Sequence, residues 1–289
     1  MLWLQLALTG LQVGAVYALT AVGFSLIFGC TRIFHFAHGA TCALAAYVFF
    51  WLNLQGLPVL VSVAGSACVA VIFGLSMDRF VYAPIQRDKG SFFTVFVASF
   101  GVAIAVQNLI GMIFGRSFVT IDTPLSQSVE MVPGLYVSPL AWIAILVTAL
   151  FYFGLQWLLH HTSIGLALRG LADNPENIRV YGLDPRRLSA YAFGLGSLLV
   201  VPAAIITGAT SGLNPAMGNH IMLISLAATI VGGISSIRGA LIAGFMLGIA
   251  ENLALIWVDA QWTEAVTFSI LFLFILFLPS GLFGRAQAH

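Results

Sequence analysis

One carboxylate and two imidazoles stand where the chain is otherwise apolar, and these carry the most chemistry. Glu251 lies inside the apolar stretch 239–257, beside Asn252. An ionisable group inside a span marks a functional site by default; its structural counterpart is an acid bonded to a neighbouring helix. Arg32, His35 and His38 follow one another at three-residue spacing. Two histidines three apart would suit a metal ion, but such a site needs three or four ligands and no third lies nearby in sequence. The better reading is a buried polar cluster that shapes a pore or fixes a kink, and no metal is assigned. Cys30, Cys42 and Cys68 have no paired spacing, so they read as small packing residues. The only lysine, Lys89, is followed by Gly90 and lacks the leading glycine of a phosphate-binding loop. If ATP supplies energy, another subunit must bind it. Acids and nucleophiles are scattered singly, so no catalytic residue is proposed and no cofactor is expected in this chain.

The elements that position these groups must be membrane helices. The chain has 289 residues, of which 60% are apolar and 7% charged; a soluble domain carries about 25% charged residues. No charge occurs in 1–31, 33–77, 90–115, 131–168, 188–237 or 265–284. A spanning helix needs about 20 apolar residues. A soluble enzyme and a disordered chain are excluded, and short alternating segments that would signal a barrel are missing. The fold class is all-α, a polytopic helical membrane protein forming one domain over 1–289. A net charge of +1 gives no reason to expect nucleic acid as a partner. The N-terminal residues 1–5 lack a basic n-region, so the first apolar segment is expected to be a true span rather than a signal peptide.

Nine segments are expected, at 8–29, 39–54, 57–77, 92–114, 139–159, 188–210, 221–236, 239–257 and 264–280. The short segment 221–236 could re-enter on one face, which would leave eight spans. Threading nine spans places Arg32, Arg79, Arg87, Lys89, Arg169, Arg179, Arg186, Arg187, Arg238 and Arg285 on one side and Arg116 alone on the other. By the positive-inside rule the N-terminus is then outside and the C-terminus cytoplasmic. Loop 115–138 reads as an ordered external cap.

Small residues mark close backbone approach in membranes. Gly10, Gly14 and Ala18 form one such stripe; Ala240, Gly244, Gly248 and Asn252 form another, and Glu251 shares its face. A third comprises Ala98, Gly101, Ala105 and Asn108. All three are expected to pack on protein, with Asn108, Glu251 and Asn252 turned inward.

Loop 160–187 carries two capping signals. Asn174-Pro175-Glu176 reads as an N-cap, a first-turn proline and a first-turn acid, and Gly182 suits the C′ position. Asp184-Pro185 repeats the signal and opens the next span. A short rigid helix at 175–181 suits docking of a partner; a plain linker would explain the arginines but not the double capping.

With these blocks in order, the chain resembles the LIV-type branched-chain amino-acid ABC transporter permeases over nearly its whole length. The resemblance rests on Gly14-Ala15-Val16-Tyr17-Ala18-Leu19, Gly23 to Gly29, and Arg32-Ile33-Phe34-His35-Phe36-Ala37-His38-Gly39. It continues through Gly165, Arg169, Ala172, Asp173-Asn174-Pro175 and Gly182, then Gly232 to Ala240, Gly244, Gly248 and Glu251, and Pro279 to Gly284. The family usually has Asn where this chain has His35. The resemblance implies a bacterial inner-membrane importer subunit working by alternating access. Its implied partners are a second homologous permease, cytoplasmic ATPase subunits that bind ATP and Mg, and a periplasmic substrate-binding protein. Residues 160–187 would form the coupling loop, with Arg169, Ala172, Asp173, Asn174, Pro175, Glu176, Arg179 and Gly182 at the ATPase. Arg32, His35, His38, Asn108, Glu251 and Asn252 would line the path. A sister permease for urea or short amides is a close rival. An ion-coupled secondary transporter, with Glu251 and the histidines as a proton relay, is a rival of another class.

Overall fold

The computed structural model describes residues 1–121 and 123–284. Eleven helices dominate the described residues: α1 (Leu2–Thr31), α2 (His38–Leu54), α3 (Val59–Arg87), α4 (Phe92–Phe114), α5 (Pro139–His161), α6 (Ser163–Asp173), α7 (Pro175–Val180), α8 (Pro185–Thr210), α9 (Met217–Gly232), α10 (Ile237–Ala254) and α11 (Thr263–Phe277). Seven are long and apolar enough to cross a membrane, and α2 and α9 are shorter apolar helices. Together they account for the nine expected segments. A helix is favoured in hydrocarbon because it satisfies its own backbone polar groups.

Two local departures from regular helix matter. α3 is π-helical over Met77–Tyr82. α9 spans Met217–Gly232, four residues earlier than the expected 221–236, because Gly233 (φ 106°) and Ser235 (φ 73°) force a turn. Ser236 then caps α10 by accepting the Gly239 amide.

α1 lies at the centre, packed by α5, α8, α9 and α10. It ends at Thr31, where Arg32 adopts a left-handed conformation (φ 57°). The chain then runs back along α1, so α2 starts beside Thr20 and Gly23 rather than at the end of the bundle. There the first turn of α2 meets the first turn of α9: the backbones at Gly39 and Gly218 touch, and neither position has room for a Cβ. α2 and α9 thus meet N-terminus to N-terminus inside the bundle.

The basic side chains collect at one end. Arg32 donates to Ser235 Oγ (3.3 Å) and to the Ala172 carbonyl (3.4 Å). Ser189 Oγ donates to Asp78 there (2.7 Å), and Arg238 stands beside His160 and His161. Arg116 is at the opposite end with Asn108; Arg285 lies outside the described residues. At that opposite end, loop 115–138 folds into a small antiparallel hairpin, β1 (Val129–Val132) and β2 (Leu135–Val137). Gln5 ties it to α1 by hydrogen bonds to both main-chain groups of Tyr136.

The tightest contact joins α1 to α10. A Cβ on Gly10 would lie 2.7 Å from Ile249 Cα, one on Gly14 would lie 2.8 Å from Phe245 Cα, and one on Gly244 would lie 2.5 Å from Ala18 Cα. Gly248 abuts the Gly14 backbone. Two of the three expected small-residue stripes therefore face each other. The third needs correcting: Gly101 has nothing within 4 Å, and Ala105 and Asn108 are exposed. α4 instead buries Val95, Ser99, Ala103 and Ile110. The Gly101 face is apolar as well as small, so sequence alone does not distinguish a side left open in the single chain from one packed within it.

Gly14→Leu is expected to destabilise the protein by about 1–3 kcal/mol or more, by overpacking this contact. Gly101→Ala should stay within about 0.5 kcal/mol of wild type. Thermal unfolding in mild detergent tests both; equal losses would remove the distinction between the two faces.

Candidate functional site

At the break between α1 and α2, His35 and His38 are fully enclosed. His35 Nδ1 lies 2.7 Å from Tyr82 Oη, which lies 2.8 Å from Ser99 Oγ. Ser99 Oγ also accepts the Ala37 amide (2.9 Å). His38 Nε2 donates to the Thr20 carbonyl (3.1 Å). The two imidazoles meet edge to face at 5.7 Å, and Phe193 packs on His35 at 5.1 Å. The network fastens α3 and α4 to the returning chain and holds the start of α2 at mid-bundle. Tyr82 ends the π-helical turn, a type of irregularity that often marks a functional position.

At the hairpin end a chamber of about 570 Å³ opens between α1, α8, α9 and the hairpin. Gln5, Thr9, Gln12, Ser138, Thr210 and Asn214 supply its polar wall; Val16, Met217 and Ile221 are among its apolar lining. Its size is that of a small-ligand site, and among the described residues no Asp, Glu, Lys or Arg lines it. A bare ion would find no counter-charge there. A small neutral or zwitterionic solute would find donors and acceptors.

Glu251 stands behind this wall. Its Oε2 accepts from Tyr17 Oη (3.0 Å), and Tyr17 lines the chamber. His220, also on the wall, lies 3.2 Å from Glu264 Oε1, and the Tyr17 and His220 rings are 6.4 Å apart. These four side chains link α1, α9, α10 and α11 at one level.

At the basic end, α6 and α7 form a helical elbow. Thr162 caps α6 by accepting the Gly165 amide (3.0 Å). Gly165, Ala167, Leu168 and Leu171 are buried on the bundle. Asn174 caps α7 through the Glu176 amide (2.9 Å), and Asp184 caps α8 through the Arg186 amide (2.9 Å). Gly182 follows α7 at φ 75°. Ile178 pins α7 onto Gly170, whereas Val180 and Tyr181 at its tip are 84% and 80% exposed.

The structure separates the residues that the sequence grouped as a path. His35 and His38 sit in the core, and Arg32 caps the basic end. Asn108 is on an outer face, held by Ile104 and Arg116. Asn252 donates to the Gly248 carbonyl (3.0 Å) within the α1–α10 contact. Glu251 approaches the chamber only through Tyr17. The residues expected at the ATPase lie close together: Arg169, Ala172, Asp173, Asn174, Pro175, Glu176, Arg179 and Gly182 are all on the elbow. Sequence reasoning missed Tyr17, Tyr82, His220, Val180 and Tyr181. A tyrosine in an apolar helix reads like any core aromatic, and only the fold shows where its hydroxyl goes.

The sequence model of the family described as "Branched-chain amino acid transport system / permease component" matches residues 6–277. The chain belongs to this family. The permease is 28% identical to the high-affinity branched-chain amino acid transport system permease protein BraD of Pseudomonas aeruginosa, over 99% of this chain and 97% of that protein. It is 27% identical to the corresponding permease LivH of Escherichia coli, with the same shares covered. Among solved structures, PsaBC from Streptococcus pneumoniae in complex with Fab shares the fold, with a TM-score of 0.53 at 13% identity over 96% of this chain and 92% of that one. The permease is thus a multi-pass membrane protein of a transport family. In it the polar chamber and the capped elbow stand at opposite ends.

Tyr82→Phe is expected to lower the permease's stability by about 1–3 kcal/mol, because it strands His35 Nδ1 in the core and leaves Ser99 Oγ with the Ala37 amide alone. Tyr17→Phe should cost about 1 kcal/mol. An unchanged unfolding midpoint for Tyr82→Phe would mean that this network does not hold the break.

Proposed function

We propose that this permease is the membrane subunit of an ATP-driven importer that carries branched-chain or other small amino acids across the bacterial inner membrane by alternating access. The exposed apolar tip of α7 carries the reading. Val180 and Tyr181 are displayed at the tip of a helix capped by Asn174 at its start and closed by the Gly182 turn, at the end of the molecule rich in arginine. Exposed apolar side chains rimmed by charge mark a docking surface. By the positive-inside rule that end is cytoplasmic, which puts the elbow within reach of a soluble ATPase and turns the chamber toward an external binding protein.

The substrate class is supported by the family and by the chamber. The relatives BraD and LivH are named for branched-chain amino acids. The uncharged lining suits a zwitterion whose charges cancel. It suits urea or a short amide equally well, and this is the second reading that the chamber favours. A second permease chain completes the assembly in this reading. ATP and Mg belong to the ATPase.

Gly182 holds a φ of 75°, which proline cannot adopt. Gly182→Pro, or deletion of 175–180, is expected to strip the ATPase from the complex co-expressed with its neighbours and to leave membrane insertion intact. Normal co-purification would overturn the docking role. In proteoliposomes, leucine uptake by the intact complex should require ATP inside the ATPase compartment. Uptake by this chain alone, driven by a pH gradient, would favour ion coupling instead.

A further inference from the structure

A second cavity, of about 440 Å³, opens at the basic end on the outer side of the bundle. Tyr152, Phe153, Gln156, Trp157, His160 and His161 form one wall, all from the last turns of α5; Arg238, on the first turn of α10, forms the other. Arg238 is exposed and has no ion-pair partner among the described residues. Gln156 Nε2 donates to Tyr152 Oη (3.1 Å). His160 and His161 each give Nδ1–H to a carbonyl one turn back, at 2.8 and 3.3 Å, which leaves both Nε2 atoms uncommitted. His161 stacks on Trp157.

This groove lies where the apolar spans end, and its surroundings continue it into the bilayer. Leu146, Leu150, Phe153 and Trp157 descend α5 at spacings of four, three and four residues, 62–69% exposed. An unpaired guanidinium matches a phosphodiester, and the two Nε2 lone pairs, which accept, match the hydroxyls of a glycerol headgroup. The apolar stripe below it matches acyl chains, and aromatic rings at this level are typical of the membrane–water boundary. Basic pockets on the cytoplasmic side of helical membrane proteins take anionic headgroups. We propose that the groove between α5 and Arg238 binds an anionic phospholipid, its phosphate on Arg238, its headgroup hydroxyls on His160 and His161 and its chains along Leu150 and Leu146. This does not depend on the transported solute or on the ATPase.

The test is native mass spectrometry of the full-length chain titrated with phosphatidylglycerol, phosphatidylethanolamine or inorganic phosphate. Wild type is expected to retain phosphatidylglycerol in preference to phosphatidylethanolamine. Arg238→Gln should weaken phosphatidylglycerol binding by roughly tenfold, about 1.4 kcal/mol. The double variant His160→Gln/His161→Gln should weaken it in the same direction and keeps the test alive if Arg238→Gln misfolds. Arg87→Gln, at the last residue of α3 and outside the groove, should leave it unchanged. Equal retention of the two lipids, or an equal loss with Arg87→Gln, would overturn the proposal. So would displacement of the lipid by millimolar inorganic phosphate, which would make this a soluble-anion site. Cross-linking of Trp157→Cys to a second permease chain in the assembled complex would also overturn it, because protein would then cover the groove.

Discussion

The close approach of α1 and α10 is the constraint on which the other placements depend. In a bilayer, helices gain nothing from hiding apolar surface from one another, since lipid is equally apolar. What remains is dispersion at short range and the hydrogen bonds that short range permits. The glycines at 10, 14, 244 and 248 let two backbones touch. That contact fixes α10 against the central helix. It brings Glu251 to Tyr17 and holds Asn252 in its i−4 bond to the Gly248 carbonyl.

A second constraint is the interrupted path between α1 and α2. Returning chain with irregular backbone is tolerated at membrane depth only where protein surrounds it. Here His35, Tyr82, Ser99 and the Ala37 amide form that surround, and His38 closes it against the Thr20 carbonyl. The interruption lets α2 begin at mid-bundle and meet α9 head to head. α9 in turn puts Met217, His220 and Ile221 on the chamber. The polar cluster and the chamber are therefore mechanically joined through Gly39 and Gly218 although they share no side chain.

The two ends of the molecule are chemically unlike. The hairpin end is polar, nearly free of basic groups, and roofed by a strand pair tied to Gln5. The basic end presents a capped elbow with an apolar tip and an unpaired arginine beside two imidazoles. Helices running between them provide stiff links from one end to the other, and α1 and α3 make the longest of these. Such an arrangement allows a push on the elbow to reach the chamber through rigid elements.

Much of this was legible in the residues. Long charge-free runs set the number and order of helices, because a backbone in hydrocarbon must bond to itself. Asn174-Pro175 and Asp184-Pro185 set the elbow, because capping is a local transaction between a side chain and amides two residues on. The stripes on α1 and α10 announced close packing. What the chain order could not convey was which small face packs within the bundle and which stays open on its outside: Gly101 and Gly14 are the same residue in similar surroundings, and only the bundle separates them. Nor could it tell that His35 would find Tyr82, 47 residues away, or that Tyr17 would stand between Glu251 and the chamber. Those pairings depend on side chains distant in sequence arriving at one place. Helix periodicity and capping act over a few residues; the tertiary fold alone decides the rest.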